Sequence, residues 1–231
     1  MSAIPDRLQA VENAIVAACR EAGRAPGGVR LLAVSKTFGP DAVLAAARAG
    51  QRDFGENYVQ EGVDKIAALA GALQETRLVW HFIGPIQSNK TRPIAEHFDW
   101  VHTVGREKIA ERLSVQRPAA LGPLNVCVQV NISGEASKSG AAPSEVAALA
   151  DAVARLPNLR LRGLMAIPEP AEDFAAQRAA FAALRDLHEG LRDRFGPDFD
   201  TLSMGMSADL RAAIVEGATI VRIGSAIFGR R

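Results

Sequence analysis

Short apolar segments alternate along this chain with longer segments of helical periodicity, and no hairpin turn joins two of the apolar segments. Strands that are separated by helices pair in parallel through right-handed crossovers. We therefore predict a parallel sheet of eight strands. Their predicted bounds are 31–34, 52–54, 78–83, 100–104, 124–132, 159–167, 201–204 and 220–223.

Three of the helical segments carry clear start or stop signals. One begins at Pro40 and ends before Gly50, in keeping with the preference for proline early in a helix and glycine just after it. A second, 144–156, places its apolar residues on one face and is stopped by Pro157. A third carries apolar residues on one face from Phe174 until Gly196. Residues 1–24 predict an additional amphipathic helix before the first strand.

Eight strand–helix units fit within the 231 residues. Their number and this length favour a closed α/β fold, a (β/α)8 TIM barrel, over an open doubly wound sheet. The fifth strand supports closure, because Val126 and Val128 would face the surrounding helices while Cys127 and Gln129 point into the barrel. No linker, repeat or low-complexity segment divides the chain, so we expect a single domain, 1–231.

Composition and charge exclude several classes of function. The 27 basic and 26 acidic side chains give a formal net charge of +1, which favours neither a nucleic-acid groove nor a membrane surface. The N-terminal segment is charged throughout and predicts neither a signal peptide nor a membrane span, so we expect a cytoplasmic protein. Cys19 and Cys127 have no disulfide or metal-ligand spacing, and without a histidine motif we expect no metal site.

Lys36 directly follows the first apolar strand. The carboxyl ends of the strands form the ligand-binding mouth of such barrels, so its amine would lie there. A lysine amine in such a place can form a Schiff base with a carbonyl compound. It can equally be a rim lysine that extends into solvent. Position alone leaves both interpretations open.

Two loops rich in glycine and serine follow the seventh and eighth strands. The first contains Ser203, Gly205 and Ser207, and the second contains Gly224 and Ser225. Glycine permits close approach of the backbone to an anion, and serine adds hydroxyl donors. Either loop alone would suit a tight turn, but barrels often bind phosphate after strands seven and eight. Together the loops predict a phosphate site.

Four other residues have two interpretations each. Arg222 in the eighth strand would be a buried cation in need of an acceptor, which a pyridine nitrogen or a structural carboxylate could supply. A lone histidine in an apolar strand, such as His81, is more often a core residue than an acid or base. Met165 would pack in the core or against a cofactor ring. Lys138, in a loop flanked by glycine and serine, would be a ligand or a solvated charge.

Seven segments together resemble the YggS/PROSC family of pyridoxal phosphate homeostasis proteins. The resemblance implies a barrel like the N-terminal domain of bacterial alanine racemase, with pyridoxal 5′-phosphate (PLP) bound as a Schiff base to the lysine of VSKT, Lys36. The segments occur in order between positions 31 and 229 and are VSKT, DFGENY, WHFIGPIQSNK, VNISGEASKSG, GLMAI, LSMGMSADLRAAIVEGAT and VRIGSAIFG.

The same resemblance implies contacts to each part of the cofactor. Ser203, Gly224 and Ser225 would hold the phosphate, Arg222 would face the ring nitrogen, and Asn57 and His81 would lie near the cofactor. With Gly205 and Met165, which the reading of the strand ends adds, the full expected set is Lys36, Asn57, His81, Met165, Ser203, Gly205, Arg222, Gly224 and Ser225.

Two features of the expected site argue for a carrier and against vigorous catalysis. An arginine at the ring nitrogen disfavours ring protonation and weakens the cofactor as an electron sink. Alanine racemases supply a second base, a tyrosine, from a separate domain, whereas this chain ends soon after Ile223 and has Tyr58 as its only tyrosine. We expect a monomer that buffers PLP in vitamin B6 homeostasis or hands it to PLP-dependent apoenzymes. The alternatives are a slow racemase or lyase with Lys36 as its single base, and an unrelated Schiff-base aldolase barrel.

Overall fold

The computed structural model describes residues 3–72, 77–134 and 139–229, and within them eight parallel strands close into a barrel. The barrel confirms the predicted (β/α)8 fold. Its strands are β1 (Arg30–Val34), β2 (Asp53–Glu56), β3 (Val79–Phe82), β4 (Trp100–Val104), β5 (Leu124–Gln129), β6 (Leu159–Met165), β7 (Thr201–Ser203) and β8 (Ile220–Ile223). They neighbour one another in sequence order, and β8 pairs with β1 to close the ring.

A helix lies in every connection between consecutive strands. The helices are α1 (Ile4–Glu21), α2 (Pro40–Arg48), α3 (Val59–Leu69), α4 (Thr91–His97), α5 (Glu107–Gln116), α6 (Val146–Ala154), α7 (Phe174–Phe195), α8 (Leu210–Val215) and α9 (Ser225–Phe228). The additional helix, α1, precedes the barrel and packs on α2, α8 and α9 through its buried face of Leu8, Val11 and Ile15. No described helix is long and apolar enough to cross a membrane.

The strand bounds agree closely with the sequence except at the ends of β5 and β6. β4 and β8 have the predicted bounds, whereas β5 ends at Gln129 and β6 at Met165. Val130 N–H still donates to Met165 O of β6 at 2.8 Å, but the backbone around it also pairs with Ala141, whose N–H donates to Gln129 O at 2.8 Å and whose oxygen accepts from Asn131 N–H at 2.9 Å. The apolar pattern therefore continues past the point at which β5 leaves the barrel.

Side chains fill the inside of the barrel, and the fifth strand alternates as predicted. Val126 and Val128 belong to the core between the strands and the helices. Cys127 lies inside the barrel with Trp100 and Met165. A second interior cluster contains Leu32, Val34, Ile83 and Ile220. Any polar side chain in this interior must find a hydrogen-bond partner within the barrel.

Candidate functional site

Lys36 lies at the carboxyl end of β1, at the mouth of the barrel. The strand from Leu31 onward and the following Ser35 are buried, whereas Lys36 and Thr37 are exposed. β1 pairs with β2 on one side and with β8 on the other. The lysine therefore emerges next to the loops that follow β2 and β8.

Asn57 follows β2 on one side of the lysine. The backbone of Asn57 touches the loop after β3 so closely that a Cβ atom at Gly84 would lie 2.1 Å from Asn57 O. The side-chain oxygen of Asn57 is buried and has no hydrogen-bond partner among the described residues. Close backbone contact thus fixes the position of Asn57 and leaves its Oδ1 available as an acceptor.

The glycines of the loops after β7 and β8 permit close approach. Gly205 has a φ of 93°, and a Cβ atom there would lie 2.4 Å from Cβ of Ala213 in α8. A Cβ atom at Gly224 would lie 3.1 Å from the backbone oxygen of Val34, in the strand that leads to Lys36. Glycine at these positions therefore draws the β7 loop onto α8 and the β8 loop onto the end of β1.

Most of the residues expected to hold a phosphate lie at the rim, but Ser203 does not. Ser225 and Ser207 are exposed and Gly224 is half-buried. Ser203, the last residue of β7, is fully buried, and its hydroxyl contacts His102 and Arg222 inside the barrel. This hydroxyl is therefore engaged on two sides inside the barrel, and its contact with phosphate stays a prediction. Ser207, four residues later, is the exposed serine of the loop that follows β7.

A chain of hydrogen bonds runs through the barrel from Arg222. Its guanidinium donates to Ser203 Oγ at 2.9 Å and to the backbone oxygen of Ala166 at 3.0 Å. Ser203 Oγ lies 2.7 Å from His102 Nδ1, and His102 Nε2 lies 2.9 Å from His81 Nδ1. His81 Nε2 lies 3.0 Å from Oδ1 of Asp53, at the amino-terminal end of β2. The chain therefore connects the β8 side of the mouth to the opposite end of the barrel.

The direction of each hydrogen bond in this chain follows from its two end groups, a guanidinium that only donates and a carboxylate that only accepts. Arginine can only donate, so Ser203 accepts from Arg222, and the single hydroxyl proton of Ser203 is left to donate to His102 Nδ1 when the carboxylate at the other end fixes the tautomers. His102 then carries its proton on Nε2 and donates to His81 Nδ1. His81 in turn carries its proton on Nε2 and donates to the carboxylate of Asp53. Both histidines are neutral in this arrangement.

The electrostatics agree with neutral histidines and a charged arginine. Burial lowers the pKa of His81. Burial, and then the neighbouring His81 and Arg222, hold the pKa of His102 well below its usual value. Burial also lowers the pKa of Arg222, to about 10, so the guanidinium stays charged at neutral pH. Within the described part of the chain, no carboxylate pairs with it directly.

Two residues expected near the cofactor lie inside the barrel instead. His81 is fully buried and its ring stacks on Trp100 with centroids 5.4 Å apart. Met165 is also fully buried, in the cluster with Trp100 and Cys127. Neither has surface at the mouth, because the inward side chains of β3 and β6 are covered by their neighbours. Both side chains therefore lie in the core, as the second interpretation of each residue in the sequence proposed.

His102 was missed from the sequence, and a signal for it existed. It lies two residues after Trp100 in β4, so it shares the inward face with that side chain, next to His81 on the adjacent strand. Two inward polar residues on neighbouring strands predict a mutual hydrogen bond. Lys138, which had two interpretations, lies outside the described residues.

Comparison with known proteins gives full-length matches. Residues 7–231 match the family model described as alanine racemase, N-terminal domain. A pyridoxal phosphate homeostasis protein of Pseudomonas aeruginosa is 63% identical over 235 residues, which cover 100% of this chain and 97% of that protein. One of Escherichia coli (strain K12) is 55% identical, with 100% and 98% covered. The structure of PipY from Synechococcus elongatus with PLP bound has a TM-score of 0.82 and 35% identity, and the match covers 98% of this chain and 100% of that chain.

Proposed function

Because the chain belongs to the family of pyridoxal phosphate homeostasis proteins, we propose that it binds PLP at the carboxyl-terminal mouth of the barrel and acts in the homeostasis of that cofactor. In this proposal the Lys36 amine forms a Schiff base with the cofactor's aldehyde. The observation that carries it is the position of Lys36, an exposed lysine at the end of β1 between polar loops. A lysine in such a setting is suited to a carbonyl partner.

The loops after β7 and β8 supply the phosphate-binding part of the proposal. The hydroxyls of Ser207 and Ser225 are exposed at the mouth. Gly224 keeps its backbone free of a side chain next to the end of β1, and Gly205 positions the other loop on α8. Hydroxyl and backbone N–H donors of this kind bind phosphate oxygens. We assign the phosphate to Ser207, Gly224 and Ser225, with Gly205 in support and without Ser203.

Arg222 and Asn57 suit the ring of the cofactor. Arg222 is buried, but its two side-chain bonds use two of the five N–H groups of the guanidinium, so an unprotonated ring nitrogen is a suitable acceptor for a further one. The buried Oδ1 of Asn57 lacks a protein donor, and a hydroxyl of the ligand would satisfy it. His81 and Met165, from their buried positions, act only as support for the residues that touch the cofactor.

We infer a carrier rather than a catalyst from the same residues. Bound PLP supplies an electron sink, and a cationic partner at the ring nitrogen opposes the ring protonation that strengthens it. Two-sided proton transfer also needs a second acid or base opposite the lysine. The only tyrosine, Tyr58, is exposed on the rim after β2. His81 and His102 are buried inside the barrel and hydrogen-bonded to each other.

The biological setting of the proposal follows from the carrier role. An open mouth leaves the cofactor accessible to apoenzymes that depend on PLP, which we propose as transient acceptors. Cys19 and Cys127 are buried and free, which suits a reducing compartment such as the cytoplasm. We propose a monomer as the working unit.

The proposal is tested by absorption spectra of the purified protein with added PLP, before and after borohydride. We expect a visible band that reduction bleaches, and peptide mapping that places the reduced pyridoxyl group on Lys36. Lys36→Ala should lose the band, whereas Lys90→Ala, a change of an exposed lysine at the start of α4, should keep it. A protein that stays colourless with PLP would refute the proposal. Formation of a D-amino acid faster than with free PLP would support the racemase alternative instead.

A further inference from the structure

A second lysine lies beneath the turn that carries Lys36, and its ammonium group is fully engaged. Lys65 of α3 is 3% exposed. Its Nζ donates to the backbone oxygen of Ser35 at 2.7 Å, to Glu56 Oε1 at 2.7 Å and to Glu61 Oε1 at 2.6 Å. An ammonium group has three donors, so each has an acceptor here. The Lys65 Nζ is therefore buried and engaged, and it does not compete with Lys36 for an aldehyde.

Glu61 holds the same turn from its other end. Thr37 N–H donates to Glu61 Oε1 at 2.5 Å. Glu61 and Lys65 are also bonded to each other across one turn of α3. The two peptide groups that flank Lys36 are thus bonded to one helix, the carbonyl of Ser35 through Lys65 and the N–H of Thr37 through Glu61.

The backbone of Thr37 needs such support. Its φ is 68°, which makes it the one non-glycine residue with a positive φ among the described residues. A β-branched side chain in the left-handed region is strained. Strain of this kind persists only where the surrounding structure fixes the conformation, and it is concentrated at functional sites. The bond from Thr37 to Glu61 is a contact that fixes it.

Glu56 of β2 completes the cluster. Its Oε1 accepts a hydrogen bond from the Ser35 hydroxyl at 2.6 Å as well as the one from Lys65. Burial raises the pKa of the Glu56 carboxyl, and the hydrogen bonds from Lys65 and Ser35 oppose that rise. The hydroxyl of Ser35 is therefore bonded to Glu56 and its carbonyl to Lys65, and these two side chains are bonded to each other.

We propose that Glu61 and Lys65 are positioning residues that hold the 35–37 turn in the conformation from which Lys36 captures the aldehyde of PLP. The inference rests on the proposed role of Lys36. In the capture, the neutral amine adds to the aldehyde carbon, and water leaves with the aldehyde oxygen and both amine hydrogens as the C=N bond forms. No described residue holds the Lys36 side chain by a hydrogen bond or ion pair. The turn therefore sets the starting point of that side chain.

The test compares Glu61→Ala with Glu61→Gln. The alanine removes the acceptor of Thr37 N–H, whereas the glutamine oxygen keeps it. We expect Glu61→Ala to weaken the capture of PLP roughly tenfold and to speed hydrogen exchange at the Thr37 amide, because one bond to a charged acceptor is lost. Glu61→Gln should recover most of both effects. Gln60→Ala is the matched control, since it removes only an exposed bond to Asp64 on the same helix.

Lys65 is tested together with its buried partner. Lys65→Met alone would leave the Glu56 carboxylate buried without a cation and would endanger folding. The double variant Lys65→Met with Glu56→Gln removes both charges, and thermal unfolding without PLP shows whether it has folded. A folded double variant should also lose capture roughly tenfold, by the same reasoning as for Glu61.

Two results would overturn the inference. One is that Glu61→Ala captures PLP at the same rate and with the same affinity as the unaltered protein, and that its Thr37 amide exchanges hydrogen no faster. The other is Glu61→Gln as impaired as Glu61→Ala, which would show that charge and not the bond to the turn matters. Failure of the underlying function is a separate result, because the unaltered protein would then show no borohydride-trapped pyridoxyl group on Lys36.

Discussion

Ser203→Ala decides whether the hydroxyl of this residue belongs to the polar chain of the barrel or to the phosphate site. Ser203 Oγ accepts from Arg222 at 2.9 Å and donates to His102 Nδ1 at 2.7 Å. Its removal leaves one buried donor and one buried acceptor without partners. Each such group costs about 1–3 kcal/mol. Because Arg222 keeps its bond to Ala166 O, we expect the PLP-free protein to lose about 2–4 kcal/mol of unfolding free energy.

The assay is thermal unfolding of the protein without PLP, followed by titration with PLP. For a chain of this size, the expected loss corresponds to a fall in Tm of about 5–15 °C. Ser207→Ala should show the opposite pattern, with an unchanged Tm and an affinity for PLP that falls roughly tenfold, because its hydroxyl is exposed and faces the proposed phosphate.

Ser114→Ala controls for the loss of a buried serine hydroxyl. Ser114 is 2% exposed, and its hydroxyl accepts one long bond of 3.4 Å from Asn158 N–H. We expect its Tm to fall by only a few degrees, since a bond of that length contributes less than about 1 kcal/mol. If Ser203→Ala instead unfolded at the temperature of the unaltered protein and lost affinity for PLP, the reasoning would be refuted and Ser203 would belong to the phosphate site.

Two further predictions concern the rim and the response to acid. Gly84→Ala places a Cβ atom 2.1 Å from Asn57 O, so we expect the unfolding free energy to fall by about 1–3 kcal/mol and PLP to bind more weakly. Gly27→Ala is the control, because nothing lies within 4 Å of a Cβ atom there, and it should change neither quantity. Equal Tm values for the two variants would contradict the prediction. Burial lowers the pKa of His188 from 6.5 to about 4, so the unfolded state binds this proton first and stability is lost as the pH falls from 6.5 toward 4. After allowance for solvent screening, His188→Gln should reduce the loss between pH 7 and pH 5 by about 1–2 kcal/mol, and equal losses in denaturant titrations at the two pH values would contradict this.

The sequence was sufficient for the barrel because the relevant signals are local. Alternation of residues such as Val126 and Cys127 reports which side of a strand faces the helices and which faces the barrel interior. Proline and glycine signals at Pro40 and Gly50 bracket a helix, since each restricts or frees its own backbone. Strands separated by helices then leave few topologies. The same logic placed Lys36 at the mouth, because the carboxyl ends of parallel strands lie on one face.

The sequence was insufficient for the inner residues of the site. β7 ends at Ser203, one residue earlier than predicted, and the left-handed Gly205 then redirects the loop. Both serines lie in one short motif, and position in the motif did not show that Ser203 is the buried last residue of the strand whereas Ser207 lies in the exposed loop. His81 and Met165 likewise fit both a core and a cofactor position in the sequence, and only the structure shows that both side chains are buried among neighbouring strands.

The sequence by itself determined the order of strands and helices, the closure of the barrel and the strand end that carries Lys36, because each depends on residues a few positions apart. Only the tertiary structure decided which polar groups meet. His102 contacts Ser203 across 101 positions of the chain, and Lys65 reaches Ser35 across 30. Such pairs produce no periodic pattern in the sequence, because a buried donor needs an acceptor close to it in the folded structure and not at a fixed distance along the chain.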